Sequence, residues 1–531
     1  QAILLEASEP LDLTALERAL HALLQCHPAL RLRLDGEQAR LRIADMGALD
    51  LTLLWRRHAT DRQTLERLCD EAQRSLDLRN GPLLRAMHVG LDEGGERLLL
   101  VIHHLAVDGV SWRVLLEDLH AAYGAIRAGQ PVVLPAEGDP HAVWAARQQA
   151  LATSPALDAE MPYWLAQLAD APAIPQADGH AAATWREARQ RHIALDRDAT
   201  SELLGPVLAA QRLRINDVLL TAVGRALCNW TGSEETLLEV EGHGRDAFDD
   251  GEPLELSRTV GWFTCLYPLR LRPTGEPGEA LRAVKESIRG VPRAGIGYGV
   301  LRHLSKHGLE LSAAGQARVT FNYLGQFDQQ FDGDSVLRPA SESAGHSQPQ
   351  NAPLGNWLVI NGRILGGRLE LELTYSEAMF PDEAIDALVQ GLEDSLHELL
   401  AHVRIATPRL SPSDVPLAGL DQATLDSLDL PVSDLDDLYP LSPMQQGLLF
   451  HALDMPGSGL YVNQLRVDLE GLDAPRFIAA WRQVVARHAV LRSGFVLTEA
   501  GVPLQFVLRH AELPVREHDW RTQAAEPEAL D

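Results

Sequence analysis

The sequence predicts an α/β protein of two lobes, followed by the opening of a second, related unit. Three observations predict it. Segments of strand character alternate with segments of helical periodicity through residues 1–405. A Pro- and Ala-rich stretch, APAIPQADGHAAA at 171–183, interrupts that alternation and reads as a join between halves. The helix–strand pattern that opens the chain returns near its end. The lobes fall at about 1–175 and 184–405; 406–434 reads as a linker and 435–531 as the start of the second unit.

Taken in order, QAILLEA is a strand, and Leu13, Leu16, Leu20, Leu23 and Leu24 then mark one face of a helix. LRIADMG and LTLLWRR read as strands and DRQTLERLCDEAQRSL as a helix. RLLLVIHHL is a nearly continuous apolar run, hence a buried strand that ends at His103 and His104. SWRVLLEDLHAAYGAI resumes helical spacing, with Ser111 available as its N-cap. In the second half RHIALD is a strand, NDVLLTAVGRALCNW a helix and TLLEVEGHGRD a strand. RTVGWFTCLYPLRL reads as one strand, EALRAVKESIRG as a helix, and ARVTFNYLGQF and RLELELTYS as two more strands. TPRLSPSDVPLAGLDQATLDSLDLPVSDLDD is rich in Pro, Ser and Asp, as linkers are.

The repeat is specific in its spacing. The opening QAILLEASEPLDLTALERALHALLQCHPALRLRL and the late QLRVDLEGLDAPRFIAAWRQVVARHAVLRSGF both give a strand, a Leu-Asp, a helix and His-x-x-Leu-Arg. Asp12 precedes His27 by 15 positions, and Asp473 precedes His488 by 15. Gln1 then corresponds to Gln464, so LYPLSPMQQGLLFHALDMPGSGLYVN has its counterpart upstream of Gln1. The counterpart of the histidine pair falls beyond residue 531. A chain that opens inside one unit and stops inside another is the expectation.

Composition narrows the class. The chain has 531 residues, 46% hydrophobic and 23% charged, with no apolar run long enough to span a bilayer. Its first residues lack the basic-then-apolar order of a signal peptide. Cys26, Cys69, Cys228 and Cys265 are scattered without CxxC spacing, which argues against a metal knot or disulfide frame and suits a reducing cytoplasm. A formal net charge of −27 argues against nucleic acid as a main partner.

Two clusters carry chemistry. A strand end that delivers an imidazole beside a loop is a common way to place a general base, which His103 and His104 satisfy. Asp108 either orients a histidine or locks the loop through an arginine; only geometry separates the two. No third ligand stands at a supporting spacing, so a metal site is not expected. Glu241 follows an apolar strand and precedes Gly242-His243-Gly244, where the backbone can turn sharply. One His and one Glu from different lobes, facing each other across a cleft, would suit proton removal on one face of a carbon and return on the other. Most glycines and aromatics of SRTVGWFTCLYPL, PRAGIGYGVLRHL and TFNYLGQF read as packing and turn residues. Asn322 and Tyr323 can donate hydrogen bonds to an oxyanion if they line the cleft.

Together these motifs resemble the condensation superfamily of nonribosomal peptide synthetases, and within it the epimerization domain. HHLAVDGVSW, EGHGRD, RTVGWFT, GIGYG and FNYLGQFD match that domain's motifs in order over residues 1 to about 400. Trp112, Glu241 and the NYLGQ stretch select epimerization over condensation. YPLSPMQQGLLFH and RHAVLRSGF resemble the first two motifs of a condensation domain. The first epimerization motif is absent, Asp246 replaces the commoner Glu, and the tail never reaches its own histidine motif.

The resemblance implies a chloramphenicol-acetyltransferase-like pseudodimer with the active site between lobes. It implies as substrate an aminoacyl or peptidyl thioester on the phosphopantetheine arm of an upstream carrier domain, with no cofactor of the domain's own. His104 and Glu241 become the acid/base pair on opposite faces of Cα. His103 and Asp108 hold the loop, Trp112 supports it, Asn322 and Tyr323 contact the enolate or the arm, and Arg258 adds cleft electrostatics. Downstream, the rest of a condensation domain and the next module are the implied partners. The rival readings are an acyl transferase using His104 to assist amine attack, and a silent docking scaffold.

Overall fold

Two large β-sheets and a two-stranded hairpin make up the sheet structure of the first unit, and a computed structural model gives the order of their strands. It describes residues 1–36, 40–49, 52–175, 177–178, 183–246, 253–326, 335–455 and 461–518. The chain divides into a unit of Gln1–Gly205 with Ile215–His402, and a unit of Pro206–Arg214 with Val403–Asp531. The strands are β1 (Ala2–Ala7), β2 (Leu32–Asp35), β3 (Arg40–Ile43), β4 (Leu54–Ala59), β5 (Leu84–Leu91), β6 (Glu96–Ile102), β7 (Ala188–Ala194) and β8 (Thr236–Gly242). They continue as β9 (Cys265–Leu271), β10 (Val319–Gln326), β11 (Leu337–Pro339), β12 (Leu358–Leu365) and β13 (Arg368–Ser376). The second unit adds β14 (Leu435–Pro440), β15 (Ser493–Leu497) and β16 (Pro503–Leu508).

The first sheet runs β11-β1-β6-β5-β4. The strand β6 explains its own apolar sequence, because both of its faces are covered. Leu98, Leu100 and Ile102 join a core with the helices Leu13–Cys26 and Gly109–Arg127, while Leu99 and Val101 face the helix Arg62–Arg74 through Leu65, Leu68 and Cys69. Beside it lies β5, a strand that the apolar periodicity alone does not reveal. Arg85 interrupts its apolar run, yet that guanidinium is buried against the Thr52 carbonyl and Ser75 Oγ.

The second sheet runs β7-β13-β12-β10-β8-β9, with β10 parallel to both β8 and β12. The helix Asp382–Ile405 buries Ile385, Leu388, Leu392, Leu396 and Leu399 at helical spacing. RTVGWFTCLYPLRL is not one strand: only Cys265–Leu271 pairs, with β8, and the preceding residues form a loop. Gly261 sits on that loop against the His141 ring.

The join between lobes is also more entangled than a break at 171–183. Trp164, on the helix Met161–Leu168, packs on Tyr267 of β9 and on Tyr298, so the chain is already on the second sheet before residue 171. Residues 176 and 179–182 of that stretch lie outside the described residues. The short strand β11 then returns from the second lobe to the edge of β1, pairing Leu5 with Pro339 and Ala7 with Leu337. Arg97 of β6 meets Glu342 just beyond it at 2.7 Å.

In the second unit β14-β16-β15 form a three-stranded sheet. Residues 406–434, expected as a linker, carry short helices, and Leu410, Val415, Ala418 and Leu425 share a core with Leu435, Leu438 and Leu504.

Candidate active site

The histidine pair leaves the end of β6 and enters a single 3-10 turn, His104–Ala106, before the helix Gly109–Arg127. The N-cap of that helix is Asp108, whose carboxylate accepts the Ser111 N–H at 2.7 Å. Ser111, expected as the cap, instead turns its hydroxyl to donate to the Gly261 carbonyl at 2.9 Å. A carboxylate caps as well as a hydroxyl does, and it leaves oxygens for a cation.

That cation is Arg245. Its guanidinium lies 3.0 Å from Asp108, donates to the Leu256 and Thr259 carbonyls at 2.7 Å each, and sits over the Phe263 ring. Asp108 also accepts the Phe263 N–H at 3.1 Å. Of the two jobs open to Asp108, the geometry therefore gives it the locking one. A lobe-one loop is clamped to the strand end of lobe two, and removing either buried partner would cost about 3–5 kcal/mol. The role is foreseeable from sequence but the arginine is not, although EGHGRD contains it. Gly244 of that motif has φ +64, and a Cβ there would meet the Phe263 carbonyl oxygen at 1.8 Å.

The two histidines are used differently. The His103 Nδ1 accepts the Leu105 N–H at 3.2 Å, so this ring shapes the turn. Burial, then the neighbouring His104 ring, lower its pKa and keep it neutral. The His104 Nδ1 lies 2.9 Å from the Val107 carbonyl, which can only accept; Nδ1 thus carries the proton and Nε2 offers its lone pair. The indole of Trp262 lies against the His104 ring, centroids 4.6 Å apart. The Trp112 indole donates to Gln1 Oε1 at 2.7 Å, and the amide nitrogen of Gln1 reaches His104 Nε2 at 3.1 Å. His141 bonds the Trp262 carbonyl at 3.1 Å, holding the loop that carries the indole.

Glu241 sits at the end of β8. His104 and Glu241 both line a cavity of about 480 Å³, with Trp262, Thr264 and Leu266 among its walls. Glu241 also lines a smaller pocket of about 70 Å³ that includes Asp108, Asn322 and Tyr323. The parallel register Thr320↔Glu239 carries Asn322, two residues on, to the level of Glu241. Burial, reinforced by the charges of Asp108 and Glu239, raises the Glu241 carboxyl to about 7. Near neutrality it is present both as acid and as base. Burial likewise lifts the Tyr323 phenol to about 12, so it remains a hydrogen-bond donor. Phe327 and Asp328, which complete FNYLGQFD, lie outside the described residues.

Arg258 is not part of this site. It turns to the far side of its loop and pairs with Glu117 at 3.0 Å and with Asp118 at 2.6 Å. Asp118 and Glu137 grip the two ring nitrogens of buried His27 at 2.9 and 2.8 Å. Burial alone would depress the His27 pKa, but hydrogen bonds to Asp118 and Glu137 outweigh it and raise it. Cys26, His27 and Asp118 bring ligand-type atoms within 4.8 Å of one another, yet both imidazole nitrogens and Asp118 are already engaged by protein charges.

The residues expected from sequence thus divide. His104, Glu241, Asn322, Tyr323 and Asp108 gather around two pockets that share Glu241 and Thr264, His103 and Trp112 support them, and Arg258 belongs to a separate ion cluster. Sequence reasoning misses Arg245 and Trp262. As letters the Trp262 stretch reads as packing, and its 42% exposure is what sets the indole apart.

The family described as Condensation domain matches residues 1–410 and 436–531. One component of the linear gramicidin synthase of Brevibacillus parabrevis is 39% identical over 98% of this chain and 7% of that protein. One component of the mycosubtilin synthase of Bacillus subtilis is 34% identical over 98% of this chain and 20% of that protein. The chain therefore spans a small part of these relatives' length. The crystal structure of the epimerization domain from the third module of tyrocidine synthetase B superposes with a TM-score of 0.70 at 29% identity, covering 76% of this chain and 93% of that one. The first condensation domain of the CDA synthetase gives 0.55 at 22% identity, covering 77% and 92%, a likeness of fold. Among the described residues no helix is long and apolar enough to cross a membrane.

Proposed function

The chain belongs to the condensation-domain family, and within it we propose that the first unit epimerises the Cα of an L-aminoacyl or peptidyl thioester in nonribosomal peptide synthesis. The observation that carries this reading is the pairing of His104 with a carboxyl poised near pH 7, Glu241, on one cavity. An acyl transfer assisted by one histidine has no use for a second proton carrier. The greater likeness to a solved epimerization domain than to a condensation domain supports the same choice.

In this mechanism one of the pair removes the Cα proton and the electrons of that bond move into the thioester carbonyl, giving an enolate. The other returns a proton to the opposite face. The lone pair on His104 Nε2 and the ionised form of Glu241 are the two bases; their protonated forms are the two acids. Asn322 and Tyr323 supply N–H and O–H donors on the Glu241 side, where the developing oxyanion is held. The phosphopantetheine arm arrives with the substrate, on a carrier domain placed upstream. Residues 436–531 we read as the opening of a condensation unit that receives the D-residue.

The test incubates the chain in D₂O with a carrier loaded with an L-aminoacyl phosphopantetheine, then reads Cα deuterium and chirality of the released amino acid. Deuterium with a D/L mixture is expected, lost in His104→Ala and Glu241→Gln and reduced about 100-fold in Asn322→Ala. No exchange, with peptide product on adding an amine acceptor, would replace the epimerase by a transferase; neither product would leave a docking scaffold.

A further inference from the structure

The cavity shared by His104 and Glu241 is much larger than proton exchange at one carbon requires. One wall is a single helix face: Ile296, Gly299, Val300, His303 and Leu304 follow the i, i+3, i+4, i+7, i+8 spacing and all line it. The rest of the helix Ile296–His303 is committed to packing. Tyr298 and Leu301 are buried, and a Cβ on Gly297 would come within 2.3 Å of the Glu160 carboxylate.

Gly299 has no such reason to lack a side chain. Its φ is helical and a Cβ added there meets nothing within 4 Å. The helix is aimed by a strained lead-in, in which Arg293 and Ala294 hold φ 44 and 49 and Gly295 φ 90. Arg293 is anchored there on Glu160. At the cavity mouth Trp262, Leu266 and Leu304 stay 42, 43 and 51% exposed. Among the described residues that line it there is no Lys, Arg or Asp.

We infer that this helix face is the specificity wall of the site: the cavity receives an apolar side chain, aromatic or branched aliphatic, of the thioester-bound residue, and the space left by Gly299 sets the largest side chain admitted. The inference rests on the epimerase reading of His104 and Glu241, and deepens it.

The test uses the 531-residue chain and a separately supplied carrier loaded with L-phenylalanyl, L-alanyl or L-aspartyl thioester. The parent chain should exchange the phenylalanyl Cα at least tenfold faster than the aspartyl one. Gly299→Leu should lower the phenylalanyl-to-alanyl rate ratio tenfold or more, with Gly299→Ala between. A ratio unchanged in both variants, or aspartyl exchange as fast as phenylalanyl in the parent, overturns the inference and leaves the epimerase standing. Binding of phenylalanyl- and alanyl-pantetheine amides, measured by calorimetry, separates the converse case. Size-dependent binding lost in Gly299→Leu without exchange on any thioester discards the epimerase and keeps the wall.

Discussion

The helices Leu13–Cys26 and Ala474–Arg487 are written almost alike and end up differently. Each starts at an aspartate that caps its first turn, Asp12 to the Thr14 and Ala15 N–H groups and Asp473 to the Arg476 N–H. Each ends at a histidine with nearly the same backbone, His27 at φ −111, ψ 97 and His488 at φ −106, ψ 105. Yet the first buries Ala15, Leu16, Ala19, Leu20, Leu23 and Leu24, and the second buries Val485 alone while Phe477, Trp481 and Val484 stay exposed. The segment before each differs too: Ala2–Ala7 is a strand paired with β6, whereas Leu465, Val467 and Leu469 are exposed and outside any strand. Helix and caps are local properties. Strand and core are supplied by distant residues, here β6 and the helix Gly109–Arg127.

That contrast can be broken by mutation. The largest effect is expected from Leu20→Ala, which empties a fully buried site and should cost about 4 kcal/mol, against about 0.5 kcal/mol or less for Trp481→Ala; chemical denaturation reads both. If the two cost the same, burial is not what separates the helices. Next comes the histidine that ends each helix. His27→Ala should cost about 3 kcal/mol by abandoning Asp118 and Glu137, and His488→Ala nothing measurable. Because the folded-state pKa of His27 is raised, its contribution is complete below about pH 6.5 and fades as pH climbs through that raised value. The deficit of His27→Ala should therefore be largest below about pH 6.5 and shrink as pH rises above it.

Glu241 sharpens the comparison from the other side, as a carboxyl whose burial opposes its ionisation. Its carboxyl, raised to about 7, is neutral in the fold at about pH 5 and an ionised burden at about pH 8. Glu241→Gln should then stabilise the chain by about 2 kcal/mol more at pH 8 than at pH 5, as thermal unfolding at the two pH values would show. The smallest effect tests what the helices share. Asp12→Ala and Asp473→Ala should each cost about 1 kcal/mol of local helix stability, read by amide exchange in the first turn.

The same division explains what the sequence disclosed. The strand β6 and the helix after it are legible because two-sided burial leaves an unbroken apolar run and a 3.6-residue period. His104 and Glu241 are legible because each stands at the end of such a strand. Three things are not. The strand β5 hides behind Arg85, whose burial depends on acceptors at Thr52 and Ser75. Arg245 and Arg258 are indistinguishable as letters, and only the fold turns one toward Asp108 and the other toward Glu117 and Asp118. Ser111 yields its expected cap to Asp108 because Gly261 approaches its hydroxyl from a loop 150 residues away.

The strand β11 has a consequence for the order of events in synthesis. The edge of β1 that it covers is ready in the nascent chain once β1 and β6 have emerged, yet its partner follows about 230 residues later, a wait of roughly 10–50 s at ribosomal speeds. For that interval the first lobe presents an open row of peptide groups, the kind of edge that invites pairing with another chain. The lobe begun first is thus left incomplete until much of the second has been made. Until the second lobe delivers the missing strand, that edge needs a chaperone over it or dilute surroundings.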